Sequence, residues 1–214
     1  MQYRTIANLN LYDSPDLNRL ATQAAAGRYL KILSDEPLQV MTCEDDYPGY
    51  LDPQDLKSLE KAEESYQAAV WTAEEIRDRI SEVIEFTQTA MSVPNEYLWG
   101  GTVAPDYDCS GLMQAAFASV GIRLPRDAYQ QEAFLQPVEV LIPGDLVFFG
   151  TPEKATHVGL YLGNQQYIHS SGKDRGRNGI HIDRLSVEGD AIEQYYYSIY
   201  RGAGRVSSSY IPQQ

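Results

Sequence analysis

The chain has 214 residues, with 17 basic and 30 acidic side chains, and its formal net charge is −13 at pH 7. This charge argues against nucleic acid or an anionic membrane surface as the main partner, and we expect neither. Its two cysteines show no Cys-x-x-Cys spacing, so the sequence predicts neither a disulfide framework nor a metal site.

The first 70 residues lack a long helical pattern. Short apolar stretches alternate with turn-rich pieces at 13–16 and 45–49, which is typical of a small β-barrel or sandwich. Residues 27–33 alternate as a half-buried strand does, and residues 52–59 predict a helical turn that leaves this module.

A helix over 72–92 opens the second region. Thr72 and Glu75 form a capping box, and Pro94 ends the helix. We therefore place the boundary near residue 70 and predict two domains, 1–70 and 71–214. A loop, a helix at Cys109 and a strand-rich part follow, which favours an α+β domain. The predicted strands cover residues 145–150, 157–163, 166–170, 179–183 and 195–200.

Cys109 lies where a loop changes into a helical pattern, so it should occupy a helix N-terminus with Asp108 as the N-cap. Unpaired N–H groups and the helix dipole favour a thiolate there, and the same N–H groups can bind an oxyanion. Cys109 is thus a candidate nucleophile, and the alternative is a small buried apolar residue. Cys43 is read as a strand residue with no role.

A nucleophilic thiol needs a base and a group that orients the base. His157 opens one predicted strand and His169 closes the next, with a turn at 163–165. An odd-length loop places both on one face within hydrogen-bonding reach, whereas a two-residue loop places them on opposite faces. We predict His157 as the base and His169 as its orienting partner, against two structural histidines as the alternative. His181, beside Asp183, is expected to be a surface or structural histidine and is the second choice for the catalytic role.

Two sets of motifs resemble known families. Residues 10–15, 20–24, 27–28 and 45–51 resemble a bacterial SH3-like (SH3b) domain. Residues 75–205 resemble the NlpC/P60 family of cell-wall cysteine peptidases. The ordered motifs are YLWGG at 97–101, DCSGL at 108–112, LPR at 124–126, PGDLVFF at 143–149, HVGLYLG at 157–163 and YIH at 167–169.

This resemblance implies an α+β fold class, in which a reduced papain-like NlpC/P60 domain is preceded by a small all-β SH3-like barrel. It also implies a catalytic triad of Cys109, His157 and His169, with no metal and no organic cofactor. The family implies cleavage between D-glutamate and a diamino acid, usually meso-diaminopimelate, in peptidoglycan stem peptides.

The two domains together resemble cyanobacterial-type γ-D-glutamyl-L-diamino acid endopeptidases, in which the SH3b domain shapes the cleft. That resemblance implies a preference for peptides with a free N-terminal L-alanine, such as L-Ala-γ-D-Glu-meso-diaminopimelate. A free ammonium needs a carboxylate, and we expect Asp108, with Ser110 beside it, to bind this amine. For Asp108 the alternative role, N-cap, is compatible with binding.

Further side chains are candidates for substrate binding. Tyr47, with Tyr50 as second choice, would close the end of the cleft, or else be an exposed turn tyrosine. Tyr97 would place its hydroxyl near the oxyanion, or else pack with Trp99. Arg126 would pair with a substrate carboxylate or with Asp127.

The sequence thus predicts a monomeric cysteine endopeptidase that acts on released murein peptides in cell-wall recycling. No apolar run long enough for a signal peptide or a membrane span occurs, so we expect a cytoplasmic protein. The alternatives are a secreted hydrolase of intact peptidoglycan anchored by the SH3b module, a wall-binding protein with a vestigial peptidase domain, and an acyltransferase on the same fold.

Overall fold

A computed structural model describes residues 1–175 and 177–213. In the first region, short strands pair antiparallel in one sheet of order β3-β2-β6-β5-β4-β1-β7. These strands are β1 (Gln2–Thr5), β2 (Leu9–Tyr12), β3 (Leu20–Ala24), β4 (Tyr29–Asp35), β5 (Leu38–Thr42), β6 (Pro48–Leu51) and β7 (Leu59–Lys61). Buried aliphatic residues such as Leu11, Leu30 and Val40 fill the space inside, so this all-β module has a core of its own.

The predicted strand at 27–33 is confirmed as β4. The predicted turn at 52–59 is confirmed as a 3-10 helix (Pro53–Ser58), which Asp52 caps by accepting a hydrogen bond from the N–H of Gln54. The module's last strand ends at Lys61 and the next helix begins at Ala73. The boundary near residue 70 stays a prediction.

Among the residues that the structure describes, the second region combines five α-helices with a six-stranded antiparallel sheet. The helices are α1 (Ala73–Asp78), α2 (Ile80–Ser92), α3 (Cys109–Ser119), α4 (Ala128–Phe134) and α5 (Ala191–Ser198). The strands are β8 (Thr102–Val103), β9 (Asp106–Tyr107), β10 (Gln136–Val138), β11 (Leu146–Gly150), β12 (Ala155–Gly163), β13 (Gln166–Ser171), β14 (Gly179–Arg184) and β15 (Tyr200–Arg205). Strands β8 and β9 form a two-stranded sheet, and the larger sheet has the order β10-β15-β11-β12-β13-β14.

The sheet carries an apolar core on each face. Helices α2 and α3 pack on one face through residues such as Val83, Phe117 and Val158. Helix α5 covers the other face with tyrosines that pack on Phe149. Helix α3 packs against β12 and β13, which brings its N-terminus to the strands that carry the histidines.

Two predicted elements differ from the structure. The helix predicted over 72–92 begins with the expected Thr72–Glu75 capping box but is divided at Arg79 into α1 and α2. The strand predicted at 195–200 is wrong, because residues up to Ser198 belong to α5. Asp190 and Glu193 form a capping box that starts this helix, and this local capping outweighs the strand propensity of its tyrosines.

The hairpin of β12 and β13 decides where the histidines point. Its turn is the two-residue type, with Asn164 and Gln165 both at positive φ, and a plain turn of that length would put the histidines on opposite faces. A register shift between Tyr161 and Gly163 adds one residue to β12, so Tyr161 pairs with Tyr167. This bulge returns both histidines to one face.

Polar contacts hold the all-β module against the second region. The buried Arg126 donates to the hydroxyl of Thr22 at 2.8 Å, and the Gln114 amide donates to Asp45 at 2.7 Å. The N–H of Thr102 donates to the side chain of Gln23 at 3.0 Å. Within residues 1–175 and 177–213, no helix has the length and apolar character needed to cross a membrane.

Candidate active site

Cys109 is the first residue of α3, and the predicted N-cap role of Asp108 is confirmed. The Asp108 carboxylate accepts hydrogen bonds from the N–H of Gly111 at 2.6 Å and from the N–H of Gly100 at 2.9 Å. The helix start thus packs directly on the Gly100–Gly101 turn. A Cβ on Gly111 would overlap the carbonyl oxygen of Gly101, which explains why glycine follows the Cys-Ser pair.

The Cys109 side chain is 7% exposed at the floor of a cleft. Burial and the charge of Asp108 raise the pKa of its thiol to about 12, although N–H groups of Val158 and Ser110 and the cation of Arg126 act in the other direction. This direction is opposite to the thiolate expected from the helix terminus alone. The thiol therefore needs a base that takes its proton when it attacks.

His157 and His169 lie side by side on the same face of the sheet, as a result of the bulge in β12. His157 Nε2 is 2.7 Å from His169 Nδ1, and the two side chains are buried. Tyr196 of α5 stacks on the His157 ring, with 4.6 Å between ring centroids and 27° between planes. The packing of α3 on β12 brings the Cys109 helix to the same strand.

Asp183 is a buried partner of His169 that the sequence analysis did not select. Its carboxylate is 2.9 Å from His169 Nε2 and also accepts hydrogen bonds from Arg177. Strand β14 pairs with β13 so that His181 lies opposite His169, and Asp183 follows two residues later on the same face. Pairing the predicted strand at 179–183 with that at 166–170 would have found it. His181 is exposed, as expected.

Two cavities meet at this point and share Tyr97, Trp99 and Thr156. The first has a volume of about 400 Å³, lies between the all-β module and α3, and is lined by Cys109 among others. The second has about 300 Å³ and is lined by His157 and by tyrosines of α5. Together they form one cleft that passes Cys109 and His157.

Asp108, Ser110 and Arg126 form one buried cluster beside Cys109. Arg126 is 1% exposed and donates to both Asp108 oxygens, at 3.2 and 2.6 Å, and to the Ser110 hydroxyl at 2.9 Å. Arg126 therefore pairs with Asp108, rather than with Asp127 or a substrate carboxylate as expected. The charge of Asp108 is neutralised within the protein, so its predicted role in binding an ammonium loses its physical basis.

Asp127 is the N-cap of α4 and also lines the same cavity. The Tyr47 hydroxyl, from the all-β module, donates to its carboxylate at 3.3 Å, and in the described part of the chain no ion pair to Asp127 occurs. Burial raises the pKa of Asp127, although the cation of Arg126 lowers it. A bound cation would relieve this cost of burying the carboxylate. Tyr47 thus reaches the cleft, whereas Tyr50 does not line it.

Tyr97 lines both cavities at the junction next to Cys109. Burial, together with the nearby Cys109 and Asp108, raises the pKa of its hydroxyl, which therefore stays protonated and able to donate. Trp99 is exposed and carries the Arg19 guanidinium over its ring at 4.7 Å. Among the described residues, no group of three His, Cys, Asp or Glu side chains is arranged to hold a metal ion.

The fold and the cleft define the class: a papain-like α+β domain with a cysteine at a helix N-terminus and paired histidines on the facing sheet. The model of the NlpC/P60 family matches residues 94–201, just over half of the chain, and the chain belongs to this family. Residues 11–56 match the bacterial dipeptidyl-peptidase Sh3 domain. Both resemblances stated from the sequence motifs are confirmed.

Curated relatives match through the second region. A probable endopeptidase p60 of Listeria seeligeri is 38% identical over 112 residues, which are 51% of this chain and 19% of that protein. The murein DD-endopeptidase MepS/murein LD-carboxypeptidase of Escherichia coli is 35% identical over 115 residues, 52% of this chain and 56% of that one. The bifunctional muramidase/DL-endopeptidase CwlT of Bacillus subtilis is 42% identical over 81 residues, 35% and 25% of the two chains. The chain thus spans one fifth to about half of these relatives.

A crystal structure of an NlpC/P60 family protein from Bacillus cereus resembles the whole chain. The TM-score is 0.70 at 17% sequence identity, and the superposition covers 99% of this chain and 100% of the other. This likeness supports the predicted α+β fold class over both regions.

Proposed function

We propose that the protein is a cysteine endopeptidase that hydrolyses the γ-D-glutamyl–diamino acid bond of murein stem peptides whose N-terminal L-alanine is free. The observation that carries the proposal is the carboxylate of Asp127, which lines the cavity next to Cys109 and forms no ion pair among the residues that the structure describes. Membership in the NlpC/P60 family supports a peptidoglycan-derived substrate.

In this proposal, the chemistry is assigned to the triad of Cys109, His157 and His169. His157 takes the Cys109 proton as the sulfur attacks the γ-carbonyl of D-glutamate, and the C–N bond then breaks while His157 protonates the leaving amine. Water attacks the thioester, gives its proton to His157 and releases the dipeptide with the free thiol. The first N–H groups of α3 and the Tyr97 hydroxyl are the candidate donors to the oxyanion.

The free N-terminus is assigned to the end of the cavity closed by the all-β module. Asp127 and the Tyr47 hydroxyl offer acceptors to an ammonium there. An acylated nitrogen carries no charge, so the half-buried Asp127 carboxylate would remain without a cation in that complex. Such selectivity fits released peptides, because the alanine nitrogen of an intact stem is acylated by muramic acid. We therefore also propose a role in cell-wall recycling, in the cytoplasm.

A paired digestion tests the substrate. One peptide is L-Ala-γ-D-Glu-meso-diaminopimelate, the other is the same peptide with the alanine nitrogen acetylated, and products are followed by mass spectrometry. We expect cleavage of the free peptide only, at the γ-glutamyl bond, and no cleavage by Cys109→Ala. Equal cleavage of both peptides would contradict ammonium recognition.

Two matched variants locate the ammonium. Asp127→Asn should reduce kcat/KM for the free peptide by about tenfold to a hundredfold and narrow the preference over the acetylated one. Asp13→Asn is the control, because Asp13 lines the same cavity but lies 3.6 Å from Arg19, a cation of its own. An equal loss in both variants would place the ammonium elsewhere.

A second candidate bond comes from the name of the Escherichia coli relative, which is a DD-endopeptidase and LD-carboxypeptidase. The Bacillus subtilis relative is a DL-endopeptidase, and the γ-D-glutamyl–L-diamino acid bond is of the DL kind. Incubation with a cross-linked dimeric muropeptide and with a monomeric tetrapeptide separates the two. Release of D-alanine or separation of the dimer at its cross-link would favour the second candidate.

A further inference from the structure

His169, the third member of the predicted triad, contacts a carboxylate through the ring nitrogen that does not contact His157. His169 is completely buried, and its Nε2 atom lies 2.9 Å from the carboxylate of Asp183, which is 3% exposed. The other ring nitrogen, Nδ1, lies 2.7 Å from His157 Nε2. The residues Asp183, His169 and His157 therefore form one hydrogen-bonded row on strands β14, β13 and β12.

Asp183 is fixed from its outer side by Arg177. The guanidinium donates through Nε at 3.1 Å and through Nη2 at 2.5 Å, one bond to each carboxylate oxygen, and Nη2 also donates to Asp190 at 2.9 Å. Asp190 is the N-cap of α5, the helix whose Tyr196 stacks on His157. Arg177 thus contacts both Asp183, the partner of His169, and the first turn of the helix that packs on His157.

The protonation state of each group in this row follows from its pKa and from its hydrogen-bond partners. Burial alone would raise the pKa of Asp183, but the hydrogen bonds from His169 and Arg177 outweigh it and hold this pKa below its ordinary value. The carboxylate is therefore ionised and only accepts. Burial lowers the pKa of His169, although Asp183 raises it, and the ring is neutral with one N–H. That N–H is at Nε2, where it faces Asp183.

The tautomer of one histidine then fixes that of the other. With its proton on Nε2, neutral His169 presents a lone pair at Nδ1, so the 2.7 Å contact requires His157 to donate from Nε2. We propose that Asp183, held by Arg177, is a positioning residue that enforces these tautomers and leaves Nδ1 of His157 unprotonated as the base for Cys109.

The proposed step is balanced within the site. The S–H bond of Cys109 breaks, its electron pair stays on sulfur, and an N–H bond forms at Nδ1 of His157. The positive charge of that imidazolium is stabilised through His169 by the carboxylate of Asp183, which keeps no proton because Arg177 holds it ionised. The proposal rests on the proposed function only in taking Cys109 as the nucleophile.

The tautomers are read directly by NMR of protein labelled with ¹⁵N-histidine. The chain contains three histidines, so three imidazoles are assigned with His181→Gln and His157→Gln. We expect neutral rings with Nε2–H for both His157 and His169. Asp183→Asn brings a side chain that donates as well as accepts, and the Nδ1–H form should then become populated. Unchanged tautomers in Asp183→Asn would overturn the proposal.

Alkylation of Cys109 by iodoacetamide supplies a second readout that needs no substrate. It is followed from pH 5 to 10 in Cys43→Ser protein, so that one thiol reports. Charged and titratable groups surround the row on several elements. They are Asp183, Arg177 and His181 beside His169, Tyr167 and Tyr196 packed on the histidine rings, and Asp108, Arg126 and Tyr97 beside Cys109. Asp183→Asn and Asp183→Ala should each reduce the rate at pH 7 by about tenfold or more and move the profile to higher pH.

The matched control is Asp145→Asn. Asp145 is also buried and also paired to an arginine, with Arg205 donating at 2.8 and 2.9 Å, but its hydrogen bonds reach no histidine. A purely structural role predicts that both variants lower stability and neither moves the alkylation profile. A profile shifted equally by the two variants, or by neither, would overturn the proposal. If the γ-glutamyl peptide is not cleaved at all, both readouts still decide the role of Asp183.

Discussion

The two sides of Cys109 differ in how their carboxylates are neutralised. On the histidine side, Asp183 is buried between His169 and Arg177, and its charge is balanced inside the protein. On the side of the all-β module, Arg126 neutralises Asp108. The adjacent Asp127 carboxylate accepts hydrogen bonds from neutral groups, among them the hydroxyls of Tyr47 and Tyr129, and forms no ion pair within the described residues. A carboxylate that is balanced internally positions other groups, whereas one left unbalanced in a cavity is suited to bind a cation.

Removing the base gives the largest expected effect. His157→Gln should reduce kcat/KM for the γ-glutamyl peptide by about a thousandfold, because no other group then takes the thiol proton. His181→Gln is the control, since His181 is exposed on the neighbouring strand, and it should change kcat/KM by less than about twofold. If the two variants lost activity equally, the histidine side would not have the role assigned to it.

Removing Arg126, the buried partner of Asp108, should lower the stability of the protein. Arg126→Met leaves the buried Asp108 carboxylate without its cation, and we expect the free energy of unfolding to fall by about 3–5 kcal/mol. Urea denaturation measures this value. Arg19→Met removes an exposed arginine near Asp13 and should cost less than about 1 kcal/mol. Similar small losses in both would mean that Asp108 is not balanced by Arg126.

The buried His169 predicts a dependence of stability on pH. Its folded pKa is lowered from the ordinary 6.5, so below that pH the unfolded chain binds a proton that the folded protein does not. The free energy of unfolding should therefore decrease as pH falls below about 6.5, by at most about 1.4 kcal/mol per pH unit from this residue. Urea titrations at several pH values should show this slope reduced in His169→Gln and retained in His181→Gln.

The smallest expected effect concerns the hydroxyl that the all-β module contributes. Tyr47→Phe removes one hydrogen bond to Asp127, and the preference for the free over the acetylated peptide should fall by about twofold to tenfold. Tyr50→Phe, a neighbouring tyrosine outside the cavity, should leave the preference unchanged. Equal effects of the two variants would mean that the Tyr47 hydroxyl of the all-β module does not contribute to substrate recognition.

The positions of Cys109 and Asp108 were predictable because an N-terminal helix signal is local. The strands that carry His157 and His169 were predictable for the same reason. An odd-length loop was expected to place both histidines on one face. In the structure they share a face because a two-residue turn is combined with a bulge in β12. A bulge depends on how β12 is packed, so the spacing alone does not decide it.

The partners of the charged residues were not predictable. Arg126 and Asp127 are adjacent in sequence, yet Arg126 pairs with Asp108 and with Thr22 of the other module. Asp183 lies in a predicted strand, but no role was assigned to it, because only the pairing of β13 with β14 brings it to His169. The tyrosines at 195–197 were assigned to a strand, and their helix is set by the capping box at Asp190.

The sequence by itself determined the α+β class, the family, the helix that presents Cys109 and the strands that carry the histidines. Those features depend on hydrophobic periodicity, capping and motif order, which act over a few residues. The tertiary structure decided which carboxylates form an ion pair with an arginine and which one lines the cavity without an ion pair among the described residues. That distinction depends on contacts between residues as far apart as Thr22, Asp108 and Arg126, and charge pairing in a buried site is set by such distances alone.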